Sequence, residues 1–144
     1  MVQEVIHPVG KVQLVLKSQD GTIKEQREEN LVVQVGLNYI ASCILSSTSS
    51  PFTYMALGTS STPATLADTT LGSELVRQVF TSASTSANVV SISTTYAAGT
   101  GTGAITEAGI FNASSGGTML SHVVFSVINK ASTDTLTINW TITV

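Results

Sequence analysis

Thr135-Leu136-Thr137-Ile138-Asn139-Trp140-Thr141-Ile142-Thr143-Val144 alternates without interruption: Leu136, Ile138, Trp140, Ile142 and Val144 fall on one side, the threonines and Asn139 on the other. Successive side chains of a strand point to opposite faces, whereas a helix would gather residues three and four apart. The stretch is therefore read as a β-strand with a core face, which takes Trp140 inward, and a threonine-rich face. Such a strand is expected to lock the C-terminal residues into a sheet, so that truncation there is damaging.

The same period of two recurs upstream. Lys11 to Lys17 puts Val12, Leu14 and Leu16 on one face, Asp20-Gly21 supplies a tight turn, and the return strand from Thr22 to about Glu29 holds Lys24, Glu25, Arg27, Glu28 and Glu29. This charged hairpin, residues 11–29, reads as a solvated edge protected against further pairing, or as a docking edge for a charged partner. Further strands are read from Phe52 to Leu57, Glu74 to Phe80, Val90 to Tyr96, Ile105 to Phe111 and Met119 to Ile128, the last two joined through Ser114-Ser115-Gly116-Gly117. Thr59 to Thr70, with Pro63 and Asp68, is a loop by composition, and Thr81 to Ala87 a turn. One stretch follows another period: Val33, Leu37, Ile40 and Ile44 recur at helical spacing, predicting a helix over about 31–45 with Asn30 as its cap. Residues 1–10, with His7-Pro8 and no clear period, are read as an extended arm. The expectation is an all-β chain, an antiparallel β-sandwich or jelly-roll-like domain over residues 11–144, with one short N-terminal helix.

The 144 residues amount to one domain. Six Lys and Arg residues and a net charge of −3 leave no basic face, which argues against nucleic-acid binding. One cysteine, Cys43, excludes an intramolecular disulfide framework, and two distant histidines, His7 and His122, give no zinc spacing. Met1-Val2-Gln3-Glu4-Val5 lacks the form of a secretory signal and no apolar run approaches a membrane span, so the expectation is a cytoplasmic product with no membrane partner.

Between Arg77 and Lys130 the only charged residue is Glu107, within Gly99-Thr100-Gly101-Thr102-Gly103-Ala104-Ile105-Thr106-Glu107-Ala108-Gly109-Ile110-Phe111-Asn112. In a strand Glu107 shares a face with Ile105 and Phe111, and a carboxylate on an apolar face needs a cation or several donors. Arg77 points where Leu75 and Val79 point, so parity nominates an Arg77–Glu107 ion pair. Catalytic chemistry is harder to assemble. The Gly99–Gly103 loop lacks the Lys-Ser/Thr of a P-loop and the third glycine of a dinucleotide fingerprint, and it precedes a strand where those motifs need a helix. His122 on a strand reads as a packed or edge residue rather than a base, and Cys43 as a small hydrophobe. No catalytic, cofactor or metal site is expected. Carbohydrate binding would want exposed aromatic platforms, yet the single Trp faces the core.

An ordered set of segments resembles the small structural proteins of tailed bacteriophages and prophages. These are Asn30 to Ile40, Tyr54-Met55-Ala56-Leu57-Gly58-Thr59, Pro63 to Leu71 with Asp68-Thr69-Thr70-Leu71, Glu74-Leu75-Val76-Arg77, Gly101 to Asn112, Gly116 to Leu120 and the terminal strand. The resemblance spans residues 30–144. It implies a virion structural protein without catalytic residues, most simply a capsid decoration or cement protein that binds the outer surface of the head and stabilises the shell. A homo-oligomer, with a trimer favoured, and contact with the major capsid protein are implied; the arm with His7 and Pro8 and the hairpin with Lys24, Arg27 and Glu28, outside the span of the resemblance, are read as the chain's own docking set. A tail, baseplate or tail-fibre component, and a host-surface carbohydrate-binding module, are the alternatives.

Overall fold

The computed structural model describes residues 7–46 and 49–144. In chain order the elements are β1 (Val9–Lys17), β2 (Ile23–Val32), α1 (Gln34–Cys43), β3 (Tyr54–Gly58), β4 (Glu74–Val79), β5 (Ser82–Ser86), β6 (Val89–Tyr96), β7 (Gly103–Phe111), β8 (Met119–Lys130) and β9 (Thr135–Thr143). The described residues make an all-β fold with one helix, as the alternating pattern implied. Its nine strands form one sheet in the order β4-β3-β7-β8-β2-β1-β9-β6-β5, every pairing antiparallel.

A single sheet makes both layers of the core because it curls. β2 is the bend: most of its length pairs with β1, whereas its last residues, Leu31 and Val32, pair with Ser121 and His122 of β8. On one side of the resulting core, Val12, Trp140 and Ile92 stand in register across β1, β9 and β6. Met55, Leu57, Ala108, Ile110 and Val123 of β3, β7 and β8 belong to the same buried cluster from the other side. Each large aliphatic side chain buried there stabilises the fold by roughly 1.5–3 kcal/mol. Trp140 is fully buried, as its place in the alternation required. Opposite the bend, the Tyr96 hydroxyl donates to the Met55 carbonyl at 2.8 Å and Gln78 Nε2 to the Thr95 carbonyl at 2.8 Å, tying the halves together. Burial pushes the Tyr96 phenol far above its usual range, so it stays a donor.

The outer face of β3-β7-β8 is not left to solvent. Val33, Ala56, Leu71, Phe111 and Met119 form a second buried cluster there, with Val35 and Tyr54 packed against it. Leu71 comes from the segment between β3 and β4, and Val33 and Val35 from the start of α1. The helix approaches so closely that a Cβ on Gly36 would lie 2.9 Å from the Leu120 Cα. Leu37 and Ile40 reach the main core, but Ile44 is exposed and α1 stops at Cys43, short of the expected length. Its N-cap is Val33, without a side-chain bond; Asn30 instead belongs to β2, opposite Gly10. The stretch from Thr81 to Ala87, expected as a turn, contains the edge strand β5. Of the expected arm, residues 1–6 lie outside the described residues; His7 and Pro8 precede β1, which starts at Val9.

Candidate functional site

The richest cluster of titratable side chains lies on the outer face of β7 and β8, under the segment 59–73 that joins β3 to β4. Glu107 is fully buried and faces Gly58 across the β3–β7 pairing. The absence of a side chain at Gly58 lets the carboxylate lie across the strand: a Cβ there would meet Glu107 Cγ at 2.7 Å and the Ser73 carbonyl at 2.6 Å. Glu107 Oε1 accepts from the backbone N–H of Ser73 at 2.7 Å and of Ser60 at 3.2 Å, and Oε2 from Gly72 N–H at 2.9 Å. Both ends of the loop are therefore fastened to one side chain. The neighbouring Thr106 hydroxyl donates to the Ser60 carbonyl at 2.8 Å, and Thr59 N–H bonds the Ser73 carbonyl at 2.9 Å, closing the neck.

The remaining position on Glu107 Oε2 is taken by His122 Nε2 at 2.9 Å, and His122 Nδ1 contacts Asp68 Oδ2 at 2.8 Å. Asp68 closes its own turn by accepting from the Thr65 N–H and the Thr65 hydroxyl, each at 2.8 Å. Burial raises the Asp68 carboxyl, but the Thr65 N–H, the His122 ring and the Thr65 hydroxyl together hold it below its ordinary value. A line of contacts thus runs from the sheet through the imidazole to the loop. Both ring nitrogens face carboxylate oxygens.

A Glu–His–Asp line invites comparison with catalytic triads, and its geometry argues against one. A general base needs a ring nitrogen turned toward a nucleophile; both nitrogens of His122 are turned toward carboxylates. The Ser60 hydroxyl accepts from Thr62 N–H at 3.3 Å. Among the described residues no group of three or more His, Cys, Asp or Glu side chains is placed to hold a metal ion. What the arrangement does is fix the loop, whose Thr62, Pro63, Leu66 and Thr69 are presented to solvent on a braced frame. The Gln34 N–H adds a bond to the Leu66 carbonyl at 2.9 Å, bracing the loop from α1.

Arg77 does not pair with Glu107. It lies on the expected face, but the register sets it opposite Ala56 and hence beside Gly109, two residues along β7 from Glu107. Its guanidinium sits 3.7 Å from the centroid of the Phe111 ring, donates to the carbonyls of Ala113 and Gly116 at 2.9 Å each, and pairs with Glu74 at 2.6 Å. Arg77 thereby secures the β7–β8 turn, and Glu107 secures the loop.

The docking residues nominated from the sequence do not converge. Arg27, 74% exposed and paired with Glu25 at 2.7 Å, shares a groove of about 760 Å³ with Glu28, Lys11, Gln13 and Asn139 on the β9-β1-β2 sheet. Lys24 is exposed further along β2, His7 is exposed, and Pro8 lines a separate apolar cleft. Cys43 is exposed rather than packed. No family model matches this chain, and no curated protein or solved structure is detectably similar to it.

Proposed function

We propose that this chain is a structural protein of a bacteriophage virion, a decoration or cement protein bound to the outer surface of the head. The observation that supports it most is the way the richest cluster of titratable side chains among the described residues is used. Glu107, His122 and Asp68 are bonded to one another and to the loop backbone, so the groups that would perform catalysis serve instead to brace a surface loop. This passive design agrees with the resemblance of residues 30–144 to phage structural proteins, and with a chain of which only 10% is charged. The full burial of Trp140 and Tyr96 removes the largest aromatic platforms from the surface, which disfavours a glycan-binding module.

In this reading the protein acts by linkage. A ligand that binds the expanded shell and not its precursor stabilises the expanded form by its binding free energy, without chemistry. The major capsid protein is the partner, and the charged side chains of β2, with Arg27 and Glu28 on one groove, are the expected contact. The test is co-sedimentation of the purified protein with DNA-free expanded heads, unexpanded heads and tails. Saturable binding to expanded heads, weakened in the double variant Arg27→Glu with Glu28→Lys, supports the assignment. Binding to tails alone would move the protein to the tail, and binding to neither, with glycan affinity, would refute a virion role.

A further inference from the structure

β4 and β5 are two parts of one free edge. β4 pairs only with β3 and β5 only with β6, at opposite ends of the sheet order, yet just Phe80 and Thr81 separate them in the chain. Phe80 N–H continues the first ladder to the Thr53 carbonyl at 2.8 Å, and Thr81 N–H begins the second to the Ser93 carbonyl at 2.9 Å. The stretch 74–86, bent at Thr81, thus crosses from one half of the curled sheet to the other. Its outer side meets no strand among the described residues.

The two parts are guarded differently. Natural edges are blunted by charges, prolines or bulges, because a bare row of N–H and C=O groups pairs with any strand that reaches it. β4 carries Glu74 and Arg77. β5 is Ser82-Ala83-Ser84-Thr85-Ser86, exposed throughout, with no charge and no proline. Beside it opens an apolar cleft of about 290 Å³, lined by Phe80, Ala83, Val90, Ile92 and Val144 on the β5 side and by Phe52 across from them. Val144, at 48% exposure, carries the apolar surface out of that opening.

We propose that β5 pairs antiparallel with β5 of a second copy of this chain, about a two-fold axis through Ser84. The strand is self-complementary for that contact: Ser84 meets Ser84, Ser82 meets Ser86, and Ala83 meets Thr85, with no like charges opposed. A two-fold perpendicular to the sheet keeps its faces. The hydroxyls of Ser82, Ser84 and Ser86 continue the outer face they share with Ser91 and Ser93 of β6, while Ala83 and Thr85 of the second copy fall beside the mouths of the apolar clefts. The contact is closed, since each copy uses up the edge the other lacks, and it removes an unguarded edge that would otherwise invite open-ended association. It does not depend on the virion assignment, which head binding tests separately.

The experiment is sedimentation of the full chain over a wide concentration range, with far-UV circular dichroism to confirm folding. The wild type is expected to form an even-numbered assembly, a dimer or a multiple of it. Ser84→Lys, which sets two ammonium groups face to face, is expected to halve its mass, and Ser61→Lys on the braced loop to leave it unchanged. Independently, Ser84→Cys in a Cys43→Ser background is expected to form an intermolecular disulfide on mild oxidation, which Ser61→Cys in the same background does not. A wild-type monomer at every concentration, an odd-numbered closed assembly, an undiminished mass in Ser84→Lys, or a Ser84→Cys thiol that stays reduced would each overturn the proposal.

Discussion

Glu107→Gln is the sharpest probe of the loop brace, because it preserves shape while removing charge and one acceptor. If the new amide keeps its carbonyl toward Ser60 and Ser73, its NH₂ meets the Gly72 N–H donor to donor, where a 2.9 Å bond now lies. If it flips, two backbone donors lose their acceptor instead of one. His122 adapts in the first case by accepting at Nε2 and donating from Nδ1 to Asp68, so the imidazole need not be orphaned. The loss is then one buried N–H without a partner, about 1–3 kcal/mol, together with the weakening of two charge-assisted bonds into neutral ones. Their sum is about 3 kcal/mol, below the full 3–5 kcal/mol of a broken buried ion pair. For a chain of this length that lowers the Tm by roughly 6–12 °C. Urea denaturation measures the total, and amide hydrogen exchange locates it: protection should fall at Ser60, Gly72 and Ser73 and persist at Thr118, whose N–H is held by Asn112 at 2.7 Å. A variant with unchanged urea midpoint and unchanged exchange at those three amides would show that Glu107 does not brace the loop.

Arg77→Met should cost about 2 kcal/mol, through two lost carbonyl bonds and a lost cation–π contact, with faster exchange near the β7–β8 turn and none at Gly72; faster exchange at Gly72 instead would restore the Arg77–Glu107 pairing. Gly58→Ala should destabilise by more than a cap or surface change, about 2–4 kcal/mol, because the new methyl group meets the Ser73 carbonyl as well as Glu107; a neutral thermal melt would contradict that geometry. Asp68 sets an acid dependence. Its folded carboxyl lies below its unfolded value, so its contribution is complete above the ordinary carboxylate range and is lost as pH falls through the depressed value, below about pH 4. Asp68→Asn should flatten the stability curve in that window, and an acid limb parallel to wild type would refute the assignment.

The fold was largely legible because its strands advertise themselves. β9 alternates without a break, and β1 and most of β6 follow suit. The difficulties arose where the fold departs from regular pairing. α1 was legible from Val33, Leu37 and Ile40, but Asn30 misled: its residue type suits a cap, whereas β2 runs on to Val32 to make the bend of the sheet. β5 reads as a turn in the sequence because Ser and Ala favour no element strongly. Its strand character comes from pairing with β6, a tertiary fact that local propensity cannot carry.

The candidate site was half legible, and the missing half has one physical cause. That Glu107 needed partners followed from a lone carboxylate on an apolar face; which partners depended on register. Counting straight back from the β7–β8 turn, where Phe111 pairs with Met119, would set His122 opposite Ala108, on the core side. The irregularity between Ile110 and Phe111 shifts the ladder by one, so that Ile110 pairs with Ser121 and His122 falls opposite Gly109, on the face of Glu107. A second irregularity, between Ile105 and Glu107, separates Ile105 into the main core while Phe111 joins the outer cluster. A one-residue slip exchanges faces, so the first of these irregularities suffices to assemble a buried carboxylate–imidazole line that no motif announces. Bulges often re-aim side chains toward an active site. Here the irregularity beside Phe111 aims His122 at two carboxylates, Glu107 and Asp68, so that both ring nitrogens are engaged and the loop is tied to the sheet. That engagement of both nitrogens is the observation on which the proposed structural role rests.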